Sequence, residues 1–170
     1  HPARFILVGT MNPEEGDLRP QLLDRFGLSL SVSGLSDMGQ RRQIVRNRIA
    51  FDRDPEAFVS AHSDLEKLIS DLIVQARETV DRVRVPDAML ELAVSLSMEV
   101  AVHGHRSDVA IVKTATALAA TLESAAVQRA HILEAARFVL PHRMTRLPLA
   151  STEALEEKLE EVLAGLADQD

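Results

Sequence analysis

Apolar and polar positions follow two rhythms along this chain, one short near the start and one of helical length thereafter. Four apolar residues, Phe5 to Val8, run without alternation into Gly9 and Thr10, the pattern of a strand buried on both faces of a parallel sheet. Asn12 lies just past its end, an acidic turn spans Pro13 to Asp17, and Arg19 to Phe26 reads as a short helical piece ended by Gly27. Leu28, Leu30 and Val32 alternate with serines and predict a second strand. The period then lengthens. Ser33 to Asp37 is a turn offering an N-cap, and Met38 to Phe51 carries a narrow apolar stripe of Ile44, Val45 and Ile49. Asp54-Pro55 is a capped restart with proline at the first helical position, and Phe58 packs its first turn. Ser63 to Val83 spaces Leu65, Leu68, Ile69, Leu72, Ile73, Ala76 and Val80 at i, i+3, i+4, with Ser63 and Glu66 as a capping box.

Val85-Pro86-Asp87 breaks that run, and Met89 to Val102 predicts a more uniformly apolar, buried helix before the punctuation of His103-Gly104-His105. Ser107 to Ser124 is rich in Ala and Thr with few large side chains, which suits a helix packed closely against neighbours. Val127 to Leu140 is a further helix, ended by Pro141. Pro141 to Ala150 has two prolines and no period, so it reads as a linker or loop. Leu155, Leu159 and Leu163 then recur every fourth residue in an amphipathic helix with acidic first turns. Three readings of it stand: a docking helix, a surface helix of the same domain, or the start of a further linker. The whole is a fragment of an α/β core to about Val32, then five or six helices.

Composition narrows the function classes. The 170 residues bury one good core or two small ones. With no cysteine there is no disulfide framework and no Cys-based zinc site. No apolar run approaches the ~20 residues that span a bilayer, and no signal peptide opens the chain, so a cytoplasmic protein without a membrane span is expected. Residues 1–53 hold eight Arg against six acids, whereas 54–170 hold eleven Lys and Arg against twenty acids. That acidic remainder argues against a nucleic-acid surface. Five Phe with no Tyr or Trp offer no base-stacking platform.

Several residues carry candidate chemistry, each with a plainer reading beside it. The C-terminal edge of an open α/β sheet is where ligands bind, so the Asn12 carboxamide can hold a water or a phosphate oxygen; Asn-Pro is also ordinary turn chemistry. Arg25 either reaches a ligand or snorkels and pairs with Asp24. Arg106 stands at the start of a helix, where a surface arginine is equally at home. Arg41, Arg42, Arg46 and Arg48 form a solvated or subunit-facing surface. His103 and His105 flank a glycine, and neither has a carboxylate four residues on, which argues against a metal site with His142. Glu14, Glu15 and Asp17 share a turn in which neighbours point apart, so they read as a solvated turn at a subunit interface and not as an acid/base pair.

The run GTMNPEEGDLRPQLLDRFGL, Gly9 to Leu28, resembles the sensor-1 and arginine-finger region of the AAA+ ATPase subunit of magnesium chelatase and of related cobalt-chelatase ATPase subunits. HGHRSDVAIVKTATALAA (His103 to Ala120) and FVLPHRM (Phe138 to Met144) resemble, more loosely, that family's sensor-2 helix and closing segment. The resemblance implies an α/β core fragment over 1–35, a helical lid domain over 36–145, and a linker with a C-terminal amphipathic helix over 146–170, mostly α. It makes Asn12 the sensor-1 residue that orients the attacking water, and Arg25 the finger that reaches a neighbouring subunit's nucleotide. A guanidinium suits that task because its fork matches phosphate oxygens and stays charged. Arg19 becomes a further contact at that interface, Asp24 an orienter of an arginine, and Arg106 the reader of the γ-phosphate. His105 before Arg106 and Ser107 after it depart from the commoner pattern.

The same resemblance implies what stands elsewhere. A P-loop ends in Gly-Lys-Ser/Thr, and none of the seven glycines here is followed by lysine. No acidic Walker B strand precedes Asn12. The chain is therefore expected to be the C-terminal part of a longer ATPase, cut between Walker B and sensor 1 and inactive alone, with ATP and Mg2+ bound mainly by the other half. The expected function is a motor driving Mg or Co insertion into a tetrapyrrole. Its implied partners are further copies in a homo-oligomeric ring, a second AAA+-like chelatase subunit, and a large subunit that inserts the metal. A non-catalytic AAA+-like scaffold and a MoxR-like AAA+ chaperone are the competing readings.

Overall fold

Two aspartates start the first long helices. Asp37 accepts a hydrogen bond from the Gln40 amide at 2.7 Å and Asp54 one from the Ala57 amide at 3.0 Å, each satisfying an amide that the first turn leaves without an intrahelical partner. The computed structural model describes residues 3, 5–12, 19–102, 104–144 and 152–167. Its helices are α1 (Pro20–Leu23), α2 (Met38–Arg53), α3 (Pro55–Thr79), α4 (Asp87–Glu99), α5 (Arg106–Thr121), α6 (Arg129–Val139), α7 (Pro141–Met144) and α8 (Thr152–Ala167), with a 3-10 turn at Val80–Arg82. The bend between α2 and α3 is closed by the Phe51 and Phe58 rings, edge to face at 5.8 Å.

The core belongs to α4, α5, α6 and α8. Leu96, Ile111, Ile132, Val139, Leu140 and Leu163 are its largest fully buried apolar side chains. Ala115 and Ala119 of α5 and Ala135 and Ala136 of α6 are also fully buried, as the small-residue composition of α5 predicts. α4 and α5 each end with a residue in the left-handed region, Ala101 and Glu123. The amides that follow, Val102 and Ser124, reach back to Ser97 and Ala119 carbonyls at 3.0 and 2.8 Å, which satisfies the last turns. A parallel bridge between Arg84 and Ala126 ties the entry of α4 to the entry of α6.

Four local expectations are corrected. Neither Phe5–Val8 nor Leu28–Val32 forms a strand: the first run is exposed, Ile6 by 93%, and neither finds a ladder partner among the described residues. A strand needs a neighbouring strand for its amides and carbonyls; the Ser29 amide donates instead to the Phe138 carbonyl at 2.8 Å. Ser63 caps nothing, because α3 runs unbroken from Pro55; its hydroxyl donates to the Ser60 carbonyl at 2.8 Å instead. α6 stops at Val139 before Pro141, as expected, but the linker expected from Pro141 begins instead with a helical turn, α7, proline being welcome in a first turn. Residues 145–150, the rest of the expected linker, lie outside the described residues. The apolar stripe of α3 is present but exposed, with Leu65 and Leu68 at 57% and 65%, and Ala76 alone is buried.

The leucines of α8 close the core, since Leu159 and Leu163 are buried in the same cluster as Ile132 and Leu140. Arg137 of α6 grips Glu160 through two nitrogens at 2.7 and 2.9 Å. That pairing pushes the Glu160 carboxyl below its usual value. Leu163→Ala should therefore lower unfolding free energy by about 2–5 kcal/mol, and Leu65→Ala on exposed α3 by about 0.5 kcal/mol or less. Denaturant midpoints compared at constant slope will check both, and equal effects would place α8 outside the core.

Candidate functional site

Turn hydrogen bonds shape the segment after Arg19. The Leu22 and Leu23 amides donate to the Arg19 carbonyl, and those of Arg25 and Phe26 to Leu22 and Leu23, so the chain makes one tight helical turn and leaves it at Gly27. The turn aims Asp24 at the start of α5, where the Arg106 guanidinium meets its carboxylate at 2.6 Å. Arg106, Val109, Ala110 and Lys113 recur at i, i+3, i+4 and i+7, so α5 turns one face towards the same place. A cleft of about 700 Å3 results, lined also by Asp24, Arg25, His105 and Arg143. Its full charges are three arginines and a lysine against one carboxylate, and Arg106 already engages that carboxylate.

Behind the cleft α7 grips the chain that follows Arg25. Arg143 donates from Nη2 to the Phe26 carbonyl at 2.8 Å, from Nη1 to that of Gly27 at 3.2 Å, and from Nη1 to the Val139 carbonyl. Burial pulls its guanidinium below the ordinary value; Asp24 opposes this and Arg106 adds to it. His142 bonds the same Phe26 carbonyl through Nε2 at 3.1 Å and the Ser29 hydroxyl through Nδ1 at 2.8 Å. A neutral imidazole with its proton on Nε2 serves both, donating to the carbonyl and accepting from the hydroxyl. Burial pushes His142 down from 6.5, the Arg143 charge adds to this, and the Phe26 carbonyl and Asp24 oppose it.

Of the residues singled out by sequence, Arg25 and Arg106 are brought into this cleft and Asn12 and Arg19 are not among its lining. Arg25 is exposed, and its guanidinium has no ion-pair partner among the described residues. Asn12 and Arg19 are exposed as well. The Phe26 ring lies against Gly9, 3.5 Å from where a Cβ there would stand, which places the segment leading to Asn12 beside the Arg25 turn. The acidic turn of Glu14, Glu15 and Asp17, together with His103, lies outside the described residues. Sequence reading missed Lys113 and Arg143 and weighed His142 only as a metal ligand. Lys113 was legible from its seven-residue spacing to Arg106, whereas an arginine buried after a proline gives no hydropathy signal.

Residues 90–162, from α4 into α8, match the AAA lid domain. The chain is 40% identical over 169 residues to the magnesium-chelatase subunit ChlI homolog of Methanocaldococcus jannaschii, an alignment covering 99% of this chain and 46% of that protein. It is 43% identical over 164 residues to the magnesium-chelatase 38 kDa subunit of Chlorobaculum tepidum, covering 96% and 42%. Against the 38 kDa subunit of Rhodobacter capsulatus it is 41% identical over 166 residues, covering 96% and 47%. The chain thus spans about half the length of these curated relatives. Among the described residues no helix is long and apolar enough to cross a membrane.

The state of His142 gives a pH dependence with a definite sign. Its folded-state value lies below 6.5, so the unfolded chain takes up this proton first as pH falls. The stabilisation is complete above 6.5 and is lost as pH drops towards the lowered value. Melting temperature should fall between about pH 7.5 and 5.5, and fall less in His142→Gln, whose amide keeps one donor and one acceptor but does not titrate. Identical profiles for the two proteins would remove His142 as the cause.

Proposed function

We propose that this chain is part of an ATP-hydrolysing AAA+ motor subunit that drives insertion of a metal ion, magnesium or cobalt, into a tetrapyrrole by a partner chelatase subunit. The observation that carries the reading is the Asp24–Arg106 pair, which joins the turn bearing Arg25 to the first residue of the lid helix α5. Two guanidiniums that the family uses on nucleotide therefore share one cleft. An excess of cations in one open cleft fits phosphate oxygens. It does not fit Mg2+, because the one carboxylate of the lining is engaged by Arg106. The proposal concerns the longer protein, since no glycine of this segment is followed by the lysine of a P-loop.

In this reading Arg25 projects from the cleft towards the nucleotide of a neighbouring subunit in a ring, where its fixed charge offsets the charge that grows on the transferring phosphoryl group. Asp24 holds Arg106 beside it, so that the position of the lid and the position of the finger change together. Asn12 orients the attacking water, and Arg19 supports the same subunit boundary. A second AAA+-like subunit and a large metal-inserting subunit complete the assembly, with ATP and Mg2+ bound chiefly by the other half of the motor.

An arginine finger is worth ~10³- to 10⁵-fold in rate, far beyond the ~0–1 kcal/mol of an exposed ion pair. In the full-length protein Arg25→Ala should leave each subunit's nucleotide affinity nearly intact and abolish hydrolysis. Mixing it with a P-loop lysine variant should restore part of the activity, because some interfaces then pair an intact pocket with an intact finger. Mixed rings that stay inactive at every ratio would refute action across the interface. Arg106→Ala should weaken ATP more than ADP, which lacks the γ-phosphate; equal weakening in a titration would reduce Arg106 to a general phosphate contact.

A further inference from the structure

The turn carrying Arg25 has little support of its own. α1 is four residues long, and beyond it Gly27 and Leu28 are exposed. Apart from the Asp24–Arg106 pair, the bonds that hold this loop to the helical domain converge on one place. The Phe26 carbonyl accepts from both Arg143 and His142, the Gly27 carbonyl from Arg143, and the Ser29 hydroxyl meets His142. The Ser29 amide completes the set by donating to the Phe138 carbonyl at 2.8 Å.

The chemistry of Arg143 suits a clamp better than a stabilising core residue. Its planar fork reaches two successive carbonyls at once, which a lysine ammonium does not reproduce. The bond to the Val139 carbonyl ties that fork to the last turn of α6, where carbonyls lack intrahelical partners. Yet Arg143 is only 7% exposed, and its buried Nε has no hydrogen-bond partner among the described residues. A buried cation with an unpaired donor is a poor choice for stability, since an apolar side chain of like volume avoids the desolvation. What the arginine adds is a fixed geometry for the chain that follows Arg25.

We propose that Arg143, assisted by His142, is a positioning residue for Arg25: by clamping the Phe26 and Gly27 carbonyls to the end of α6 it fixes where the loop presents the Arg25 guanidinium. This rests on the reading of Arg25 as a residue acting on a neighbouring subunit's nucleotide. A displacement of about 1 Å at a reacting centre costs about 100-fold in rate, so the clamp is a rate determinant without touching nucleotide.

The test uses the full-length protein and the variants Arg143→Met, Arg143→Lys and Arg25→Ala. Arg137→Ala, which removes the α6–α8 bridge, serves as a structural comparator. Arg143→Met should lower kcat about 100-fold with nucleotide affinity unchanged, and should speed amide hydrogen exchange in the peptide containing Ser29. Arg143→Lys should fall between it and the wild type. Arg137→Ala should lower the melting temperature and leave kcat and Ser29 exchange alone. If Arg143→Met does not fold, Arg143→Lys decides by the same readouts. Wild-type Ser29 exchange in the Arg143 variants overturns the clamp, as does a wild-type kcat there while Arg25→Ala is inactive. A wild-type kcat in Arg25→Ala instead overturns the reading of Arg25 itself, and the positioning role with it.

Discussion

The close approach of α5 and α6 is the constraint on which the helical domain depends. Ala115 and Ala119 of α5 and Ala135 and Ala136 of α6 share one buried cluster with no exposure at all, and side chains of that size let two helix surfaces meet with little between them. Ile111, Ile132 and Val139 fill the flanks. α4 supplies Ala93 and Leu96 from one side and α8 supplies Leu159 and Leu163 to the same cluster. A larger residue in the alanine seam would force these layers apart together, because a core at native density has no room to absorb the change.

That seam also decides where charge collects. α5 and α6 are consecutive and double back on each other, so the first residue of α5 and the residues just past α6 come to one end of the domain. Arg106 and Arg143 arrive there from opposite directions in sequence, and Asp24 stands among them. The like charges oppose one another, as the downward pull of Arg106 on Arg143 shows. The cleft they line is open to solvent, with Val109 and Ala110 as its apolar wall.

The pair α2 and α3 follows a different logic. α2 has no buried residue, and α3 buries Ala76 alone. Its caps and periodicity are those of a stable helix, with Asp54, Pro55 and the Phe51–Phe58 contact fixing its start. Helical period settles which residues share a face; it does not supply the surface that covers them.

Helix existence and the true caps were legible in the sequence because they rest on interactions a few residues long, although the same local signals also suggested a false box at Ser63. Asp37, Asp54 and Pro86 stand where local chemistry puts them, and the Ala-rich character of α5 announced close packing. The candidate arginines 25 and 106 were legible through the motif around them. The two apolar runs misled, since a strand is defined by its neighbour and not by its own residues. Nothing local could say that Asp24 pairs with Arg106 and not with the adjacent Arg25. Nor could it show that Arg143, beyond a proline in an unpatterned stretch, is buried against the carbonyls of Phe26 and Gly27. Those contacts join residues distant in sequence, and only the folding of α5 against α6 brings them within hydrogen-bond reach.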